Sequence, residues 1–202
     1  MTTSNVAVPN LRVSDESLGK RALDLAGSLL LLTVLAPFFV LVAGLIKLDS
    51  RGPVLFRQKR IGRDGGPFYI WKFRTMHANV HPYRKSPVRN EDVRLTKVGR
   101  ILRRLSIDEL PQLMNVLKGE MSLVGPRPEM PFIVKTYGYF ERQRLAVKPG
   151  ITGLWQISPA RAMPIHHNLQ YDLFYIRNRT LLMDCVILLR TVSAVVRGVG
   201  AA

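Results

Sequence analysis

The sequence predicts an α+β fold, mostly helical, associated with a membrane and carrying a small strand hairpin. Three observations point there. An uncharged run of 22 residues, LAGSLLLLTVLAPFFVLVAGLI, extends from Leu25 to Ile46. Two short strand-like segments, VLFRQ and FYIWKF, flank a tight loop from Gly62 to Pro67. Apolar residues recur at helical spacing in the second half of the chain, with arginines between them.

A chain of 202 residues is long enough for one domain with its own core. With 47% apolar and 22% charged residues, its composition is that of a folding chain and excludes disorder. Lys and Arg number 30 against 14 Asp and Glu, a formal charge of +16. Such an excess attracts polyanions: nucleic acid, nucleotide phosphates or an anionic membrane face. Charge alone does not choose among them. The lone Cys185 excludes an intrachain disulfide framework, and its setting, MDCVILL, predicts a small core residue.

Along the chain, residues 1–17 lack periodicity and read as a loose tail. Residues 18–48 form the membrane segment and 49–202 the remaining domain. The uncharged run is long enough to cross a hydrocarbon core of about 30 Å as a helix. It is too long for a signal peptide and lies behind more than twenty polar or mixed residues. Lys20 and Arg21 precede it; Lys47, Arg51, Arg57, Lys59 and Arg60 follow. Basic residues favour the cytoplasmic side, and here both ends are basic. Pro37, after Ala36, removes a backbone donor near the middle of the run and bends a helix there. A helix that bends and returns to the same face satisfies both facts; a straight span stays open on residues alone. A buried core helix is disfavoured because the run is apolar all round.

Gly52-Pro53 marks a turn into the hairpin, and residues 77–94 read as a polar surface loop. From Thr96 to Lys118 the pattern is helical. VGRILRRL sets Val98, Ile101, Leu102 and Leu105 on one face and Arg100, Arg103 and Arg104 on the other. Such a basic amphipathic helix suits a membrane surface or a solvated face. A last helical stretch, TLLMDCVILLRTVSAVV, lies within 169–197. There is no internal repeat or low-complexity tract.

The chemistry concentrates in LRRLSIDELPQLMNVLKGEMSLVGPRPE. A proline is tolerated in the first turn of a helix, which predicts Asp108 as N-cap and Pro111 at the third helical position. Were Ser106 the cap, Pro111 would fall inside the hydrogen-bonded body at a cost of about 3 kcal/mol. Asp108 and Glu109 would then stand at the positive end of a helix, with Arg103 and Arg104 just upstream. An ionised carboxylate beside a phosphate site can attack phosphorus, hold magnesium, or both. Taken alone, an Asp-Glu pair is an ordinary acidic helix start. Its company shifts the balance: Arg127 is bracketed by prolines in GPRP, and an arginine fork suits phosphate oxygens. Lys72 and Arg74 in WKFRTM add cations. Together these residues read as a pyrophosphate pocket.

At these motifs the chain resembles the bacterial sugar transferases known as small monotopic phosphoglycosyl transferases. The matching pieces run in order over roughly residues 18 to 197: the apolar run with its proline, RIGRDGGPFYIWKFRTM, the Asp-Glu stretch, KPGITGLWQIS and YDLFYIRN. The resemblance implies a re-entrant helix and an active site at the cytoplasmic face of the bacterial inner membrane. It implies a ping-pong reaction. Asp108 attacks the β-phosphate of a UDP-sugar, UMP leaves, and polyprenol phosphate, usually undecaprenyl phosphate, takes the phosphosugar from the carboxylate. Such a reaction initiates a lipid-linked glycan. Magnesium is the implied cofactor, with Asp108 and Glu109 as its carboxylates. Lys72, Arg103, Arg127 and Arg161 match basic positions lining the family's active site. Two departures stand out. Ala36-Pro37 replaces a common Ser-Pro, and Ser158-Pro159-Ala160-Arg161 replaces a common Gly-Arg.

Other residues are weaker signals. His166-His167 lack a third ligand and read as a loop pair. Trp155 suits a stacking, interfacial or core role. Gly150 and Gly153 permit a turn toward the site. Tyr171, Asp172 and Tyr175 read as structural. The rival readings are a membrane-tethered nucleic-acid or anionic-surface binder, a structural adaptor, and a glycosyl transferase releasing UDP. No recognised nucleic-acid module is present, so no nucleic-acid partner is expected. A homodimer is left open.

Overall fold

The computed structural model describes residues 17–81, 83, 92–163 and 168–196. The architecture is α+β and mostly helical, with two small sheets. The readings of the tail before Ser17 and of His166-His167 lie outside the described residues.

Helix α1 (Leu18–Val34) starts on Ser17, whose hydroxyl accepts the Lys20 amide, and runs to Leu35. Helix α2 (Ala36–Asp49) follows at once with Pro37 in its first turn, and the two axes differ by 60°. Neither helix alone is long and apolar enough to cross a membrane; the bent pair matches that length and composition. Pro37 removes the amide that would meet the Thr33 carbonyl. Ala36 beside it offers no hydroxyl to satisfy that carbonyl. Thr33 supplies one instead, donating to the Leu29 carbonyl at 2.9 Å, a back-bond that itself bends helices.

α1 is inside out. Its buried residues are Lys20, Asp24 and Ser28, one turn apart, while Leu29, Leu30 and Val34 are each at least 60% exposed. Lys20 Nζ pairs with Asp184 at 2.7 Å, and Asp24 Oδ1 accepts from the Leu123 amide and the Ser122 hydroxyl.

Strands β1 (Leu55–Ile61) and β2 (Pro67–Phe73) form the expected antiparallel hairpin, in the register Leu55 opposite Phe73 and Ile61 opposite Pro67. The loop turns on Asp64 and Gly65, both at positive φ. Asn115, fully buried, grips the outer edge of β2: it donates to the Tyr69 carbonyl and accepts from the Trp71 amide. Helix α3 (Lys97–Arg104) is capped by Thr96, and α4 (Leu113–Leu117) follows a 3-10 segment at Ile107–Gln112. The helical pattern from Thr96 to Lys118 is thus interrupted, and its second helix starts at Leu113 rather than near the expected Asp108. The α3 face also differs from expectation: Leu102 is buried against α2, whereas Ile101 and Leu105 point outward.

In a second sheet, which no local signal announced, β3 (Ser122–Val124) pairs in parallel with β4 (Gly150–Thr152). These strands are too short to show alternation. Short helices α5 (Pro131–Val134) and α6 (Tyr139–Arg142) lie between them, and α7 (Leu169–Asn178) and α8 (Leu181–Val196) close the fold. α8 is inside out like α1. Asp184 and Ile187 are buried while Leu182, Leu189 and Val192 are exposed. Cys185, expected in the core, is exposed, because the buried stripe of α8 runs through its neighbour Asp184. The main core joins β2, α4, β3, α7 and α8 through Ile70, Val116, Leu123, Tyr175 and Ile187. A second cluster seats α2 on the hairpin and α3 through Val42, Ile46, Phe73 and Leu102.

Candidate active site

The 3-10 segment carries Asp108 and Glu109, and its start differs from the expected cap. Ser106, not Asp108, occupies the capping position, in the left-handed region at φ 54°, and its side chain caps nothing. Pro111 causes no clash because the α-helix proper begins only at Leu113. The preceding residues close three-residue turns, as in Glu109 N–H to Ser106 C=O at 3.3 Å. The carboxylates thus lie on a short 3-10 turn, and the helix dipole contributes less than an α-helical start would.

The two carboxylates have different surroundings. Glu109 is held by a clamp: Lys72 Nζ donates to Oε1 at 2.6 Å, and the Arg127 fork donates to Oε1 at 2.7 Å and Oε2 at 3.2 Å. Asp108 is 7% exposed and lines a cavity of about 310 Å³. Among the described residues its one ion pair is loose, 3.9 Å to Lys72 Nζ. Burial pushes the Asp108 carboxyl up, a push that Lys72 only partly offsets. Burial acts the same way on Glu109, but Arg127 and Lys72 outweigh it and hold that carboxyl well below the usual range. Burial lowers the Lys72 ammonium against the pull of Glu109.

The cavity is both charged and apolar. Its lining includes Lys72, Arg103 and Asp108, the further cations Arg57, Arg60 and Arg74, and the apolar Leu55, Phe56, Met76 and Met130. Arg103 reaches it from the last turn of α3. Arg161 approaches from the far side of the turn, donating to Ser106 Oγ at 3.3 Å. Of the predicted cations, Lys72, Arg103, Arg127 and Arg161 therefore converge on the carboxylate turn.

Arg74 does not. β2 ends at Phe73, so the alternation that would set Arg74 beside Lys72 stops one residue short. Its guanidinium is committed to the end of α2, donating to the Ser50 and Arg51 carbonyls at 2.7 Å each and to Ser50 Oγ at 3.0 Å. It anchors α2 to the hairpin. Ala36 and Pro37 lie at the bend, away from the carboxylates. Trp155 is a core residue whose indole donates to the Ala160 carbonyl at 3.2 Å. Gly150 packs backbone to backbone on Gly125, where a Cβ would come within 2.1 Å of the Gly125 amide.

The described residues hold no group of three or more His, Cys, Asp or Glu side chains suited to a metal. Asp108 is open toward the cavity. Glu109 is a poor metal ligand in this arrangement because two cations already take its oxygens. Sequence reasoning weighed Ser106 only as a cap and rejected it, and it did not nominate Asn115; neither residue type at its spacing announces a left-handed turn or a strand clamp.

A family model, Bacterial sugar transferase, matches residues 15–198. The chain is 38% identical over 188 residues to the UDP-N-acetylgalactosamine-undecaprenyl-phosphate N-acetylgalactosaminephosphotransferase of Aeromonas hydrophila, covering 90% of this chain and 44% of that protein. It is 45% identical to the undecaprenyl-phosphate glucose phosphotransferase of Komagataeibacter xylinus, covering 88% and 36%. It is 38% identical to the exopolysaccharide production protein ExoY of Sinorhizobium fredii, covering 88% and 85%. The chain thus spans less than half of the first two relatives and most of the third. A match of this extent, over the segment that builds the carboxylate turn and its cations, means that the chain belongs to the bacterial sugar transferase family and is a transferase enzyme.

Proposed function

We propose that this enzyme transfers a sugar 1-phosphate from a UDP-sugar to undecaprenyl or another polyprenol phosphate, releasing UMP, and so initiates a lipid-linked glycan. The observation that carries the reading is the asymmetry of the carboxylates. Glu109 is neutralised by a clamp of two cations, while Asp108 faces the cavity with one loose partner. A carboxylate so placed, next to cations that suit a diphosphate, is an activated nucleophile. The relatives named for undecaprenyl-phosphate sugar-phosphate transfer agree with this choice of substrates.

In the proposed first step an Asp108 carboxylate oxygen attacks the sugar-bearing phosphorus. The bond from that phosphorus to the oxygen bridging to the α-phosphate breaks, and UMP leaves with the electron pair. In the second, a phosphate oxygen of the polyprenol attacks the same phosphorus and displaces the Asp108 carboxylate. Lys72 and Arg127 are fixed by Glu109, so their charges are pre-set for the equatorial oxygens at no cost of reorganisation during the reaction. Arg103 and Arg161 flank the donor diphosphate and the α-phosphate of the departing UMP. Magnesium suits Asp108 together with the diphosphate, since it binds one or two carboxylates plus phosphate oxygens and water; when bound it neutralises phosphate charge.

A membrane site fits the inside-out helices. α1 and α8 bury Lys20, Asp24, Ser28 and Asp184 and expose leucines, as helices do when lipid surrounds them. We place the active site at the cytoplasmic face of the bacterial inner membrane, with α1 and α2 re-entrant about Pro37. A cysteine at Ser17 would then react with an impermeant reagent from the same side as the catalytic domain; labelling from the opposite side alone would make the helix a span.

The reaction is tested by incubating the purified protein with magnesium, undecaprenyl phosphate and a panel of UDP-sugars. UMP release with one donor, and a sugar-phosphate adduct on Asp108 when the acceptor is withheld, are the expected results. Release of UDP would move the chemistry to the sugar carbon. Salt-dependent DNA binding without turnover would favour the polyanion-binding alternative.

A further inference from the structure

The YDLFYIRN segment takes no part in the proposed reaction, yet it buries a charge. Asp172 is 1% exposed and its partner Arg144 3% exposed. Joining α7 to the turn at Gln143–Ala146 does not require ions, since well-packed apolar groups do so at least as well. What the pair holds is visible in the other bonds of the guanidinium. Arg144 Nε donates to Asp172 Oδ2 at 2.6 Å, Nη1 donates to the Tyr137 hydroxyl, and Nη2 donates to the backbone carbonyl of Arg127 at 2.9 Å.

Arg127 needs such an anchor. Its side chain is 34% exposed, so packing fixes it only in part, yet its fork must meet both oxygens of Glu109. Pro126 and Pro128 on either side have no amides to donate, which leaves carbonyls as the handles on this stretch of chain. Those carbonyls are held at both ends. Lys20 Nζ and the Tyr175 hydroxyl each donate to Val124 O at 3.1 Å, the Gly150 amide donates to Pro126 O at 2.9 Å, and Arg144 takes Arg127 O.

We propose that Arg144, oriented by Asp172, is a positioning residue for Arg127, setting the reach of the Arg127 fork to Glu109 by gripping the Arg127 main chain. The proposal rests on the transfer reaction above, in which the Glu109 clamp serves the diphosphate.

A double-mutant cycle on the full chain tests it, with UMP release as readout and thermal unfolding as a check on folding. Arg144→Lys keeps the charge but cannot hold three partners in one plane. It is expected to lower kcat/KM about tenfold in the native background, the equivalent of one buried hydrogen bond. In an Arg127→Lys background, where the fork is already lost, the same change is expected to cost less than about twofold, while its effect on unfolding temperature stays the same in both. Equal losses of kcat/KM in the two backgrounds, or a folded Arg144→Lys protein with native kcat/KM, would overturn the proposal. If Arg144→Lys does not fold, Tyr137→Phe, which removes one partner of the same guanidinium, enters the same cycle with the same criterion. Absence of UMP release from the unmodified protein with every donor would instead overturn the transfer reading itself.

Discussion

Around α7 and α8, buried charges come in closed pairs: Lys20 with Asp184 at 2.7 Å, and Arg144 with Asp172 at 2.6 Å. Around the 3-10 segment they are shared, Lys72 and Arg127 both bonding Glu109. Four cations, Lys72, Arg103, Arg127 and Arg161, surround two carboxylates, and the carboxylate nearest the cavity has the weakest partner. A closed pair offsets part of its own desolvation and fixes geometry. Two cations that share one carboxylate leave positive charge beside the cavity that an anionic ligand can complete. The first region reads as framework and the second as a place for phosphate, though both use the same residue types at similar depth.

The largest expected effect separates the two carboxylates. Asp108→Asn should lower UMP release by at least about ten-thousandfold, the loss typical of a removed nucleophile, with the fold intact by circular dichroism. Glu109→Gln should act on both plans at once. It leaves Lys72 and Arg127 facing each other without a counter-charge, so unfolding free energy should fall by about 3 kcal/mol and kcat/KM by about a hundredfold. Lys20→Met tests the closed plan. Denaturant unfolding should show a loss of about 3 kcal/mol, most of it recovered when Asp184→Asn is added, because the cost lies in the orphaned charge. Arg74→Lys should cost about 1–2 kcal/mol of stability while the donor KM stays within about twofold, since its bonds go to the end of α2. A donor KM raised tenfold would return Arg74 to the phosphate site.

The pH dependence of stability sharpens the same contrast. The folded pKa of Glu109 is depressed from 4.5, so its contribution is present above that value and is lost as pH falls through the lower folded pKa. The folded pKa of Asp108 is raised from 3.8, so its contribution is full below 3.8 and is lost as pH rises through the raised value. Asp108→Asn should therefore be slightly more stable than the native chain at neutral pH, with the gap closing in acid. The acidic limb of kcat/KM should likewise fall above the ordinary carboxylate range. A limb at or below the value of a free aspartate would remove Asp108 as the titrating nucleophile.

Much of this was legible in the chain. The hairpin was marked by Gly52-Pro53, the Gly62–Pro67 loop and alternating aromatics, all local signals. Arg127 stood out because prolines flank it. Arg74 misled because its spacing from Lys72 has strand parity, and the end of a strand is set by what the next residue can bond, here the exposed carbonyls of Ser50 and Arg51. Cys185 misled because an apolar run does not say which side is inside. In α8 the buried stripe follows Asp184, since a charge leaves lipid or water for the interior only where a Lys20 awaits it.

By itself the sequence determined the chemical inventory: an uncharged segment interrupted by proline, a carboxylate pair, and cations in a fixed order. These are covalent facts, and local stereochemistry translates them directly into bends and turns. Tertiary structure decided which carboxylate is left facing the cavity. On a 3-10 turn successive side chains point about 120° apart, so neighbours as close as Asp108 and Glu109 face different surroundings. Strand β2 and the Arg127 loop, brought from 36 residues before and 19 after Asp108, supply the cations that occupy one of them and leave the other to the cavity.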